Sequence, residues 1–231
     1  LGLALLNSLD IGLLLFIIAV GLNIVFGVLN VINFAHGALY MLGAYLAFSC
    51  INVLGLPFWL TLLVAPLGVA LLAVLIDRFM LRFVYQREVT DSLLLTFALL
   101  LILNESVRMV WGTGIHVVEP PELLRGTVTL PGGVRYPLYS LFVIAAGGLV
   151  LFGLWFLFNE ARAGKIMRAA ALDRDMAQVL CINTRLVITG VFAFGAWLAA
   201  VGGVAAPPGR RLRCPATAEA RPRVPWNQRW A

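Results

Sequence analysis

Residues 21–43 read GLNIVFGVLNVINFAHGALYMLG, and they set Asn23, Asn30, Asn33 and His36 among glycines in a stretch otherwise apolar enough to lie in a bilayer. Amides and an imidazole in hydrocarbon are costly unless they face a partner helix or a wet path, so they mark the interior of a helix bundle. If the stretch is one helix, a turn of roughly 100° per residue brings the four polar residues to one face, with Gly27 and Gly37 among them. That stripe is both polar and small, suited to close helix contact or to lining a route. The other reading is a break between two short helices over residues 30–37, and broken helices at membrane depth are where transporters build their sites.

The rest of the chain agrees with a membrane setting. Of its 231 residues 61% are hydrophobic and 12% charged, far from the balance of a soluble domain. Apolar runs recur at 11–29, 34–54, 58–75, 93–111, 138–158 and 186–206, each near the roughly 20 residues that cross a hydrocarbon core about 30 Å thick. The expected class is all-α, a polytopic transmembrane helical bundle, with one domain over residues 1–206. Pro66 should kink the third run. The N-terminal apolar run lacks a basic flank, so no cleavable signal is expected from it. Cys50, Cys181 and Cys214 form no CxxC pair, and His36 and His116 are the only histidines, so neither a metal site nor any cofactor is expected.

The net charge of +6 does not point to nucleic acid. Arg210, Arg211, Arg213, Arg221, Arg223 and Arg229 crowd the last stretch, and the membrane body is almost neutral. Basic residues near span ends stay in the cytoplasm. The link with Arg78, Arg82 and Arg87 and the link with Arg162, Lys165, Arg168, Arg174 and Arg185 are therefore expected inside. Residues 112–137 and the N-terminus fall outside.

The cytoplasmic link at 160–185 has a second pattern. Ile166, Ala169, Ala170, Met176, Ala177 and Leu180 recur at helical spacing, while Lys165, Arg168, Asp173, Arg174 and Asp175 face elsewhere. An amphipathic helix outside the membrane follows, which either rests at the headgroups or docks into a soluble partner.

Two blocks carry a resemblance, INFAHGALYMLGAY at 32–45 and GKIMRAAALDRDMAQVLCINTRLVITGVFAFGAWLAAVGGV at 164–204. Together they resemble the permease subunits of high-affinity branched-chain amino acid ABC importers, of the LivH type, over residues 5–206. The resemblance implies a pore subunit in a bacterial inner membrane that is not itself an enzyme. Its implied partners are two cytoplasmic ABC ATPase subunits, a second permease subunit and a periplasmic amino-acid-binding protein. Asn33, Phe34, Ala35, His36 and Gly37 match that family's membrane motif. Gly164, Arg168, Ala169, Asp173, Ala177, Ile182 and Asn183, with Lys165 beside them, match the segment that couples to the ATPase. No GxxxxGK[ST] occurs, so ATP is expected to be handled by another polypeptide. The implied movement slides spans past one another through Gly27, Gly37, Gly195 and Gly202.

Two features depart from the family pattern. Cys181 stands where relatives carry glycine. After Pro208 the chain turns to GRRLRCPATAEARPRVPWNQRWA, so 207–231 is expected to be a disordered Arg/Pro-rich tail on a permease shortened at its C-terminus by truncation or a frame shift. Two rival functions are weighed against the importer. A proton-coupled secondary transporter would titrate Asp10, Glu105 and His36, although a surface ion pair of Glu105 with Arg108 is the simpler account. An intramembrane hydrolase would need Ser49 or Cys50 close to His36.

Overall fold

The computed structural model describes residues 2–29, 31–84, 89–112, 114, 121–124, 126–130, 134–172, 174–179 and 183–206. Its helices are α1 (Gly2–Leu29), α2 (His36–Asn52), α3 (Phe58–Phe79), α4 (Val89–Trp111), α5 (Leu138–Asn159), α6 (Arg162–Leu172), α7 (Arg174–Val179) and α8 (Thr184–Ala205). Between α4 and α5 a small antiparallel hairpin pairs β1 (Thr127–Leu130) with β2 (Val134–Pro137). The tail at 207–231 lies outside the described residues, and so does Cys181.

The apolar runs become helices because a bilayer offers the backbone no water, and a helix satisfies its own N–H and C=O groups. Five are long enough to cross a membrane, within α1, α3, α4, α5 and α8. The run at 34–54 is a correction to the sequence reading. α2 has 17 residues, about 25 Å at a helical rise of about 1.5 Å per residue, short of a hydrocarbon core about 30 Å thick. The single-helix reading of 21–43 fails as well. α1 stops at Leu29 and α2 starts at His36, so the break is the arrangement found. Pro66 stays inside α3.

Contacts fix the directions. Leu14 of α1, Phe58 at the start of α3, Tyr139 at the start of α5 and Ala205 at the end of α8 share one buried cluster. At the opposite end Thr189 of α8 donates to Asp77 of α3 at 2.5 Å. Hence α1, α3 and α5 run one way and α8 runs back. Ala47 and Val204 meet in another cluster, which sets α2 parallel to α8. Thr96 donates to the carbonyl of Ile32 and the Trp111 indole to Ser49, which sets α4 parallel to α2. The ends of α3 and α5 therefore share a face with Arg78, Lys165, Arg168 and Arg185, the face that the charge rule assigns to the cytoplasm.

α8 is the axle of this bundle. Within its span 56% is buried, against 17–33% for the other four. Gly195, Ala196, Ala199, Ala200, Gly202 and Gly203 give it a surface so low that α1 and α2 approach backbone to backbone. A β-carbon on Gly43 of α2 would stand 2.6 Å from Ala200 Cα, and one on Gly203 would stand 3.1 Å from the Ala44 nitrogen. Gly43→Ala is expected to destabilise the permease by about 1–3 kcal/mol through overpacking, read as a lowered thermal midpoint in detergent. Gly27→Ala, which meets nothing within 4 Å, should leave the midpoint within about 0.5 kcal/mol of its original stability.

Candidate functional site

The break between α1 and α2 is built around Asn33. Its Oδ1 accepts the Ala35 N–H at 3.0 Å and its main-chain oxygen accepts the His36 N–H at 3.2 Å. An asparagine serves its own backbone in this way when a chain must leave one conformation and begin a helix. Thr96 of α4 supplies one more bond to the break, 3.4 Å to the Ile32 carbonyl. Irregular backbone at membrane depth is tolerated only where neighbours satisfy it like this.

His36 opens α2 and turns inward. It is 3% exposed, and its Nε2 stands 3.1 Å from the Ile18 carbonyl oxygen of α1. A β-carbon on Gly21 would sit 3.2 Å from the imidazole and 3.1 Å from the Gly195 oxygen. One on Gly195 would meet a Val25 methyl and the Gly21 carbonyl at 3.0 Å. Three elements therefore converge at one point near the middle of α8: Gly21 of α1, Gly195 of α8 and the first residue of α2. α2 thus starts deep in the bundle and rises to the outer face.

The polar stripe expected from the sequence divides here. Asn33 and His36 are buried, whereas Asn23, Gly27 and Gly37 are exposed, and nothing stands within 4 Å of a β-carbon added at either glycine. The break turns α2 away from the register of α1, so the common face dissolves. Asn30 lies outside the described residues. Of the glycines named for sliding, Gly195 is at the tight crossing and Gly202 is looser, its nearest neighbour 3.4 Å from an added β-carbon. Sequence reasoning missed Gly21, Gly43 and Gly203, because nothing in a local pattern says which small residue meets a partner. It also missed Asp77, 2% exposed and bonded to Thr189. An aspartate near the end of an apolar run was the available signal.

The link at 160–185 contains two helices rather than one. α6 and α7 are separated at Asp173, which lies outside the described residues together with Leu180 and Ile182. Gly164 is buried where α6 folds back on α5, and an added β-carbon there would strike the Leu157 carbonyl and stand 2.9 Å from Phe158 Cα. That fold-back turns Gly164, Met167, Ala170 and Ala171 onto the bundle. The apolar set read from the sequence is thereby split. Ala170 and Ala177 are buried and Ala169 is half-buried, while Ile166 and Met176 are exposed, beside Leu172 at 89% and Val179 at 76%. Lys165 and Arg168 are exposed. Asn183 caps α8, its side chain accepting the Leu186 N–H at 3.3 Å, so the link feeds directly into the axle helix.

Neither rival gains a site. Glu105 pairs with Arg108 at 2.8 Å, both exposed. Asp10 is 3% exposed at the outer end of α1 rather than in a surface pair. Ser49 accepts the Trp111 indole N–H at 2.6 Å, and it lies 13 positions along α2 from His36, about 20 Å at helical rise.

A family model described as branched-chain amino acid transport system / permease component matches residues 4–216. The chain is 30% identical over 212 residues to the high-affinity branched-chain amino acid transport system permease protein BraD of Pseudomonas aeruginosa, covering 87% of this chain and 68% of that protein. It is 30% identical over 210 residues to the permease proteins LivH of Salmonella typhimurium and Escherichia coli, covering 86% of this chain and 68% of each. No solved structure matches the chain.

Gly164→Ala is expected to push α6 off the end of α5, because the added carbon falls on backbone that has no room to yield. Trypsin cleavage at Lys165 and Arg168 in the folded protein should rise about ten-fold as local opening grows easier by about 1.4 kcal/mol. Timed proteolysis of inverted vesicles checks it.

Proposed function

The chain belongs to the branched-chain amino acid transport permease family, and we propose on that premise that it carries branched-chain or related amino acids inward across the bacterial inner membrane in an ATP-driven complex. It is a membrane-spanning permease subunit and not an enzyme. In ABC systems of this kind hydrolysis resides in separate subunits, and a binding protein works beside the permease. The finer assembly proposed here has two cytoplasmic ATPase subunits, a second permease and a periplasmic protein that delivers the solute.

The observation that carries this reading is the exposure of Ile166, Leu172, Met176 and Val179 on α6 and α7, on a link that also exposes Lys165 and Arg168. Apolar side chains that far out on a charged link are costly in water and fit a groove on a soluble partner. Closure of the ATPase pair on bound ATP pushes α6 and α7, Gly164 passes the push to α5, and the Asn183 cap passes it to α8. The small-residue crossings of α8 then allow α1 and α2 to slide between outward and inward states. Asn33 and His36 are proposed to border the route at the crossing they share.

The double variant Leu172→Asp, Met176→Asp is expected to reach the membrane at normal levels and to lose ATPase co-purification by about thirty-fold, the scale of losing an anchor residue worth about 2 kcal/mol. Amino acid uptake should fall with it. Uptake that an uncoupler abolishes while ATPase loss leaves it intact would instead establish the proton-coupled alternative.

A further inference from the structure

The break before α2 leaves two buried polar atoms of complementary chemistry. Asn33 is 4% exposed and commits its Oδ1 to the Ala35 N–H, which holds the carboxamide at the N-terminus of α2. Its Nδ2, a donor, has no partner among the described residues. His36 is the first residue of the same helix. Because the Ile18 carbonyl only accepts, Nε2 carries the hydrogen of the neutral ring, and Nδ1 is left as an acceptor, again with no partner among the described residues. Burying such atoms without partners is unfavourable, so a group that brings an acceptor to Asn33 Nδ2 and a donor to His36 Nδ1 would be held there.

Two further facts say what kind of thing. The 17 residues of α2 direct their aligned peptide dipoles so that the positive end lies at this break, deep in the bundle. Beside it Gly21 and Gly195 bring α1 and α8 backbone to backbone, with a Val25 methyl and the His36 imidazole set against the two glycines, so the surfaces that meet at the site are small ones.

Resting on the transport reading above, we propose that Asn33 and His36 form a transit site for the head group of a zwitterionic α-amino acid. The carboxylate accepts from Asn33 Nδ2 at the positive end of α2, and the ammonium donates to His36 Nδ1. The pair carries no net charge in the neutral ring, so it recognises the head group without the fixed charge that would hold it, as a permeation path requires. It reads what all α-amino acids share and ignores the side chain, so leucine, isoleucine and valine pass alike.

The test uses the assembled complex with its ATPases, partner permease and binding protein in proteoliposomes. Asn33→Asp keeps the oxygen that serves the Ala35 N–H, removes the donor and sets a negative charge before the carboxylate. It should co-purify with its partners, while maximal leucine uptake at saturating loaded binding protein falls about ten-fold or more. A second readout separates recognition from packing. On the complex without binding protein, labelled leucine should be displaced by valine far better than by isoamylamine, which is leucine without its carboxylate. Asn33→Asp should reverse that order. If Asn33→Asp does not assemble, His36→Ala removes the acceptor and carries the same measurements, with 4-methylpentanoate, which is leucine without its ammonium, gaining on leucine. Unchanged uptake, or an unchanged order of competitors in the variant that assembles, would leave water or helix packing as the only role of the pair and overturn the proposal. A wild-type complex that carries no amino acid at all would overturn the transport reading beneath it.

Discussion

A bilayer supplies no hydrogen bonds, and everything in this structure follows from where that demand is met. Regular helices meet it alone. The stretch at 31–35 does not, and it exists at membrane depth because Asn33 takes two N–H groups of the next turn and Thr96 of α4 serves the Ile32 carbonyl. His36 adds a tie from the first residue of α2 to the Ile18 carbonyl. The polar residues that looked out of place in an apolar run are thus the groups that make an interrupted span affordable.

The second constraint is shape. In lipid, burying apolar surface does not by itself drive helices together, so contact area and close approach decide. α8 answers with small residues along most of its buried length, and the glycines Gly21 and Gly43 on its neighbours answer in kind. The small residues leave these crossings low, so that backbone meets backbone there. The start of this axle helix is joined to the link at 160–185 by the Asn183 cap and to α3 by the Asp77–Thr189 bond.

Much of this was legible in advance. The six apolar runs, the Glu105–Arg108 pair and the special character of 30–37 all follow from composition and spacing. The reading went astray where it had to guess orientation. Asn23, Gly27 and Gly37 shared a stripe with Asn33 and His36 only while the helix was continuous, and one interruption moved them to the outside. The link at 160–185 failed in a related way, since its apolar periodicity was real but served two surfaces, the bundle through Gly164 and Ala170 and the exterior through Ile166 and Met176.

By itself the sequence determined that the chain is a helical membrane protein and where its first apolar stretch is open to interruption, because hydropathy and local backbone bonding act over a few residues. Only the tertiary structure decided that His36 meets Ile18, that Gly21 faces Gly195 and that Asp77 binds Thr189. Asp77 and Thr189 are 112 positions apart along the chain, and Gly21 and Gly195 are farther apart still. Which small or polar residue finds a partner depends on the rotation and depth of whole helices, and packing between them sets that.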